Sequence, residues 1–160
     1  AGIMSKGSIK PFLPKYSSLK ESHIKWFKDI LGSNLVHYSD NPSELKYNYD
    51  WLKKFSGQSS LVLKPRTEEQ ISQILELCNT EKLPIVIQGG NTGLVGGATP
   101  ISTEIVLSTE NLNSKISYDE RTQTVDCQGG FVLEEVMNFI GQYNREFPLD
   151  LGSKGSCQIG

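Results

Sequence analysis

The sequence is poor in the residues that build metal centres and disulfide frameworks. Its 160 residues hold three cysteines, Cys78, Cys127 and Cys157, widely spaced and without a Cys-x-x-Cys pair, and two histidines, His23 and His37, far from all of them. That spacing supports neither a disulfide scaffold nor a zinc site, and a reducing compartment fits it. Both histidines read as solvated or partly packed surface residues. No apolar run is long enough to span a bilayer. Positive charge is not in excess either. A net charge of -2 and a pI near 5.7 leave no basic surface for neutralising phosphates, so no nucleic-acid partner is expected.

What the chain does have is glycine, concentrated between Pro84 and Pro100. Ile85, Val86 and Ile87 form a short apolar run that breaks at Gln88 into a segment carrying Gly89, Gly90, Gly93, Gly96 and Gly97. This pattern is a strand emptying into a loop. Glycine lets main-chain N–H groups turn inward and lets a ligand approach where a Cβ would block it, so the loop is a candidate phosphate cradle, with a plain surface turn as the alternative. No register supplies the lysine and Ser/Thr of a Walker motif, and Pro100 follows too soon for a Gly-x-Gly-x-x-Gly that opens a long helix. The remaining reading is a loop without fixed charge, binding a diphosphate through its amides and the side chains of Asn91 and Thr92. A loop closed on itself, with its amides internally bonded, would exclude that reading.

Around this loop the chain alternates strands and helices. Residues 1–20 carry lysines and no acid before Glu21, and read as a disordered leader or tag; a transit-peptide remnant is the alternative, weakened by the absence of arginine before Arg66. Residues 21–57 form an amino-terminal helical segment. Ser18 and Glu21 have capping-box spacing for a helix with Ile24, Phe27 and Leu31 on one face and Gly32 at its end. Tyr47, Tyr49, Trp51, Leu52 and Phe55 read as a satellite hydrophobic cluster, with stacking on a ligand as the alternative. Leu61-Val62-Leu63 is a strand ended by Pro65, and Thr67 caps a helix with Ile71, Ile74, Leu75 and Cys78 inward. A further buried strand spans residues 104–108, a hairpin turns at Asp119-Glu120-Arg121-Thr122, and a helix with Val132, Leu133, Val136, Met137 and Ile140 inward leads to a second glycine-rich segment, residues 147–160.

Four motifs in order give a family resemblance: Pro65-Arg66-Thr67, the segment Gln88 to Gly97, Pro148-Leu149-Asp150-Leu151-Gly152, and Gly155-Ser156-Cys157-Gln158-Ile159-Gly160. Together they resemble the FAD-binding domain of the vanillyl-alcohol-oxidase class, and within it the D-2-hydroxyglutarate dehydrogenases and their D-lactate dehydrogenase relatives. The resemblance runs from about Asp50 to the end. It implies an α+β fold, an incomplete PCMH-like FAD-binding domain of two small α/β subdomains with FAD between them, residues 58–160 being its first part. Gln88, Gly89, Gly90, Asn91, Thr92, Gly93, Leu94 and Val95 would then lie along the pyrophosphate, and Pro148, Leu149, Gly155, Ser156, Ile159 and Gly160 along the flavin and ribityl side. Asp150 and Lys154 read as local caps or solvated groups.

The function implied is that of a flavin-dependent D-2-hydroxyacid dehydrogenase, oxidising D-2-hydroxyglutarate or D-lactate to the 2-oxoacid and passing electrons to an acceptor. The alternatives are a flavin-free interaction module and a non-redox transferase on the same scaffold. Family members often have Ala where Ser153 stands, and they continue beyond the position of Gly160 through a substrate-binding cap domain and a metal-binding histidine cluster. No catalytic or metal-ligating residue is therefore carried over, and a metal such as zinc is expected only in that later part. The 160 residues alone are expected to be inactive and to hold FAD weakly. The compartment expected is the mitochondrial matrix, with the cytoplasm as the alternative, and a homodimer is allowed for.

Overall fold

The computed structural model describes residues 16–160. A four-stranded sheet is ordered β1 (Val36–Tyr38), β2 (Leu61–Leu63), β4 (Ile105–Ser108), β3 (Ile85–Gln88). β2, β4 and β3 run parallel, and β1 lies antiparallel on the edge. Helices α1 (Glu21–Leu31) and α2 (Glu68–Glu81) cover one face, and a hairpin of β5 (Ile116–Asp119) and β6 (Thr124–Cys127) precedes α3 (Leu133–Gly141). The helical crossover makes β2 and β3 parallel as expected, but β4 inserts between them instead of letting them pair directly.

The alternation of side chains along each strand divides the core in two. Leu61, Leu63, Ile105 and Leu107 meet Phe27 and Leu31 of α1 and Ile74 and Cys78 of α2. Val62 and Val106 point the other way, onto Tyr47. Tyr47 is held there by its hydroxyl, which donates to Glu110 Oε2 at 3.0 Å, while Lys64 Nζ sits 2.7 Å from Glu110 Oε1. Buried Asn48 fixes the segment before β2: its amide N–H groups donate to the carbonyls of Pro42 and Ser59, and its Oδ1 accepts from the Ser59 N–H.

Several sequence expectations are corrected. α1 starts at Glu21 with Lys20 as its cap, and the Ser18–Glu21 box does not form; the imidazole of His23 accepts the Lys20 N–H through Nδ1 at 3.1 Å. His23 is consequently buried, with Nε2 3.6 Å from Glu81 Oε2. Residues 1–15 of the expected leader lie outside the described residues, but Ser17 donates to the Lys82 carbonyl and Leu19 packs on the core. In α2, Thr67 does cap, accepting from the Gln70 N–H, whereas the Gln70 side chain reaches back to the Arg66 N–H. Ile74 and Cys78 are buried, but Leu75 is exposed and its place is taken by half-buried Leu77. Burial pushes the Cys78 thiol up to about 11. Of the expected cluster of Tyr47, Tyr49, Trp51, Leu52 and Phe55, Tyr47 does pack, on Val62 and Val106, but the rest does not close: Trp51 is 75% exposed, and Leu52 and Phe55 are nearly half exposed.

Two measurements check this packing. Ile74→Ala should cost about 2–5 kcal/mol of unfolding free energy and Leu75→Ala about 0.5 kcal/mol or less in urea titrations; equal losses would put both side chains on the buried face. Burial alone would push the Glu110 carboxyl up, but the hydrogen bond and charge of Lys64, with the Tyr47 hydroxyl, outweigh it and hold the carboxyl below its usual range. Its contribution is therefore present above about pH 4.5 and lost as pH falls through the lower folded value. Thermal melts across that acid range should show a shallower pH slope for Glu110→Gln than for the native protein. An unchanged slope would remove this carboxyl from the acid sensitivity.

Candidate functional site

In parallel sheets with helical crossovers, ligands collect outside the carboxyl ends of the strands. Here β3 ends at Gln88 and is followed by the first glycine loop, and its neighbour β4 ends at Ser108 and is followed by Thr109 and Glu110. Gln88 is buried, and its Nε2 donates to the Tyr47 carbonyl at 3.0 Å and to the Ala98 carbonyl at 2.8 Å. One side chain thus ties the start of the loop to its end. Asn91 adopts the left-handed conformation (φ 53°), and its Nδ2 donates to the Tyr49 carbonyl at 2.7 Å. Gly96, also left-handed at φ 76°, lies flat against the Phe55 ring, where a Cβ would stand 2.8 Å from Cγ.

Segment 47–58 therefore runs beside the loop and is joined to it repeatedly. From Gly89 to Val95 the loop takes its shape from these side-chain contacts, and a single turn, Gly96 to Thr99, closes its end. Among the described residues, none of the main-chain N–H groups from Gly89 through Ala98 donates a hydrogen bond, and the only bond closing within the loop region runs from the Thr99 N–H to the Gly96 carbonyl. The loop is open, with its amides available, which is the condition set by the sequence reading.

The second glycine-rich segment folds over the first. α3 begins against it: the Leu133 and Glu134 N–H groups donate to the carbonyls of Cys157 and Lys154, and Glu135 accepts the Val132 N–H. Ile159 and Gly160 donate to the carbonyls of Phe131 and Gly129, and the Thr109 hydroxyl donates to Gln158 Oε1 at 2.6 Å. Closeness is extreme at Gly90, where any Cβ would overlap the Ser156 carbonyl. Between the two segments lies a cleft of about 580 Å³ lined by Trp51, Gly90, Thr92, Leu94, Gly152, Ser153 and Ser156. A neighbouring concavity of about 340 Å³ shares Trp51 and Gly90 and reaches Lys46, Gln88, Gly89, Asn91, Glu110 and Gln158.

Of the residues singled out from sequence, Gln88, Gly89, Gly90, Asn91, Thr92, Leu94 and Ser156 come together around these two concavities. Gln88 and Asn91 do so with side-chain N–H groups already engaged on the neighbouring main chain. Gly93 sits between Thr92 and Leu94 with open space where a side chain would be, and Gly160 backs onto Gly89 and Gly129. Val95 is 84% exposed and lines neither concavity. Pro148 lies by Tyr118, Arg145 and Phe147 at the hairpin, away from the cleft, and Leu149 is exposed. Gly155 lies toward Glu134, and Ile159 is also exposed. Asp150 and Lys154 pair with each other at 3.1 Å on the surface. Sequence reasoning missed Lys46, Glu110, Gly152 and Ser153 as lining residues and set Trp51 in a hydrophobic cluster; an indole among lysines was the available signal.

Comparison with known proteins bears on the family and the fold. The chain is 43% identical over 92% of its length to a Schizosaccharomyces pombe protein named as a mitochondrial D-lactate dehydrogenase, covering 29% of that protein. It is 41% identical over its whole length to D-2-hydroxyglutarate dehydrogenase, mitochondrial, of Danio rerio, covering 30%. The chain thus spans about 30% of the length of the curated relatives it matches. A solved structure of alkyldihydroxyacetonephosphate synthase superposes with a TM-score of 0.77 at 13% identity, over 95% of this chain and 30% of that one. The likeness confirms the fold as α+β of the PCMH-like FAD-binding kind. A family model described as "FAD binding domain" matches residues 59–160, so the chain belongs to that family and its cofactor is FAD.

Proposed function

We propose that this chain forms the nucleotide end of an FAD-dependent D-2-hydroxyacid dehydrogenase of the mitochondrial matrix, with D-2-hydroxyglutarate preferred to D-lactate as substrate. The relatives' names support the substrate class and the compartment. One structural observation carries the cofactor assignment. Among the described residues the amides from Gly89 through Ala98 donate no hydrogen bond, and Gly90, Thr92 and Leu94 of that run line a cleft whose volume lies within the roughly 300–1,000 Å³ of small-molecule sites.

The residues present fit a dinucleotide. Main-chain N–H groups of Gly89, Gly90, Asn91, Thr92 and Gly93 would donate to the diphosphate, with Leu94 beside them and Gly155, Ser156, Ile159 and Gly160 on the facing segment. Gly93 and Gly97 have no left-handed φ and nothing within 4 Å of a would-be Cβ, so packing among the described residues does not require glycine there. Close approach of a ligand would. Bound FAD supplies a two-electron acceptor for the hydride leaving the α-carbon of the hydroxyacid. The chain's part is to hold the nucleotide at a fixed place, with Gln88 and Asn91 keeping the loop rigid and Ser156 closing the cleft over Gly90.

The open site at Gly93 gives a clean test in the full-length protein. Gly93→Val should leave the melting temperature of the apoprotein unchanged and lower bound flavin about tenfold or more, measured by visible absorbance of the purified protein. Gly90→Val should lose flavin and also destabilise the protein, because its Cβ meets the Ser156 carbonyl. Normal flavin content in Gly93→Val would remove the first loop from the cofactor site.

A further inference from the structure

Trp51 is the one residue of the aromatic segment that neither the core nor the loop contacts explain. Its neighbours have structural tasks. Tyr47 fills the core behind β2 and β4, the Tyr49 carbonyl takes the Asn91 amide, and the Phe55 ring supports Gly96. The Trp51 side chain is 75% exposed, yet its backbone sits in a tight mount. Buried Asp50 accepts the Phe55 N–H at 2.7 Å and the Leu52 N–H at 3.2 Å, and the Lys53 N–H closes the turn on the Asp50 carbonyl at 3.0 Å. The hydrogen bond from Phe55 holds the Asp50 carboxyl below its usual range, so it remains an ionised acceptor at neutral pH.

Among the described residues nothing covers the ring that this turn projects, and an indole gains stability from burial and not from exposure. The ring also stands in a particular place. Trp51 lines both the cleft between the glycine segments and the concavity under Gly89, and it shares that position only with Gly90. The exposed Trp51 therefore borders both hollows.

We propose that Trp51 is the stacking platform for an aromatic ring of the bound dinucleotide, adenine or flavin, placed there by the Asp50 turn. The proposal rests on the FAD site described above and deepens it. Stacking of a base on an aromatic side chain is worth about 1–3 kcal/mol, which converts to roughly a 5- to 150-fold change in affinity.

The test is reconstitution of the full-length apoprotein with FAD, comparing the native protein with Trp51→Ala, Trp51→Phe and Gly93→Val. Trp51→Ala should raise the dissociation constant of FAD by that factor with an unchanged apoprotein melting temperature, and Trp51→Phe should recover most of the loss. The tryptophan emission quenched on adding FAD should shrink in Trp51→Phe. Circular dichroism of the bound nucleotide then distinguishes the rings, because only the band of the ring that loses its partner changes. Unchanged FAD affinity in Trp51→Ala, alongside lost binding in Gly93→Val, would overturn the platform and leave the loop assignment standing. Lost affinity in Trp51→Ala with normal binding in Gly93→Val would do the reverse, and a native protein that takes up no FAD would overturn both.

Discussion

The site depends on where the first glycine loop gets its shape. Loops usually define themselves by turns whose N–H groups bond to carbonyls two or three residues back, which leaves those donors engaged. Here the work passes to side chains: Gln88 bonds to both Tyr47 and Ala98, and Asn91 to Tyr49. Because both are amide side chains donating to carbonyls, the loop's own N–H groups are left over. Gln88 is buried, so its two bonds form away from competing water and an unmade one would cost about 1–3 kcal/mol. The loop is thereby fixed and still open, a combination that glycine content alone would not give.

The rest of the fold serves that arrangement. Parallel pairing of β3 with β4 brings Thr109 beside the loop, and Thr109 in turn bonds to Gln158 and anchors the second segment over Gly90. The amino terminus of α3 would elsewhere be a natural anion site. In this chain its first N–H groups are taken by the carbonyls of Lys154 and Cys157. The helix end is used to hold the second segment in place, and anion binding is left to the loop.

Much of this was legible in the sequence where local chemistry decides the outcome. Leu61-Val62-Leu63 before Pro65, the Thr67 cap, the hairpin around Asp119 and Gly32 as a helix end all stand where their patterns put them. What escaped depended on partners distant in the chain. β1 is only three residues, Val36–Tyr38, and exists through its pairing with β2. Leu75 matches the helical period, but α2 is covered along a narrower stripe, through Ile74, Leu77 and Cys78. Tyr47 and Trp51 both stand close to lysines in the sequence, a hint at exposure that holds for Trp51 and fails for Tyr47, which lies in the core. The sequence reading turns the Asn91 side chain toward a diphosphate and sets Gln88 beside it, because a sequence does not show the main chain that receives both amides.

The glycines make the same point more sharply. Five of them look alike between residues 89 and 97, yet the structure separates them. Gly90 is demanded by the Ser156 carbonyl, Gly96 by its positive φ and the Phe55 ring, and Gly93 and Gly97 by nothing among the described residues. Charge follows a similar logic. No ionisable side chain lines the larger cleft, and in the neighbouring concavity Lys46 is offset by Glu110. A diphosphate held here would be held by main-chain dipoles, whose effect falls off quickly with distance and direction. Affinity in such a site rests on the path of the backbone more than on the count of nearby charges. The contacts that fix that path, far from the nucleotide's reactive end, then matter as much as the donors themselves.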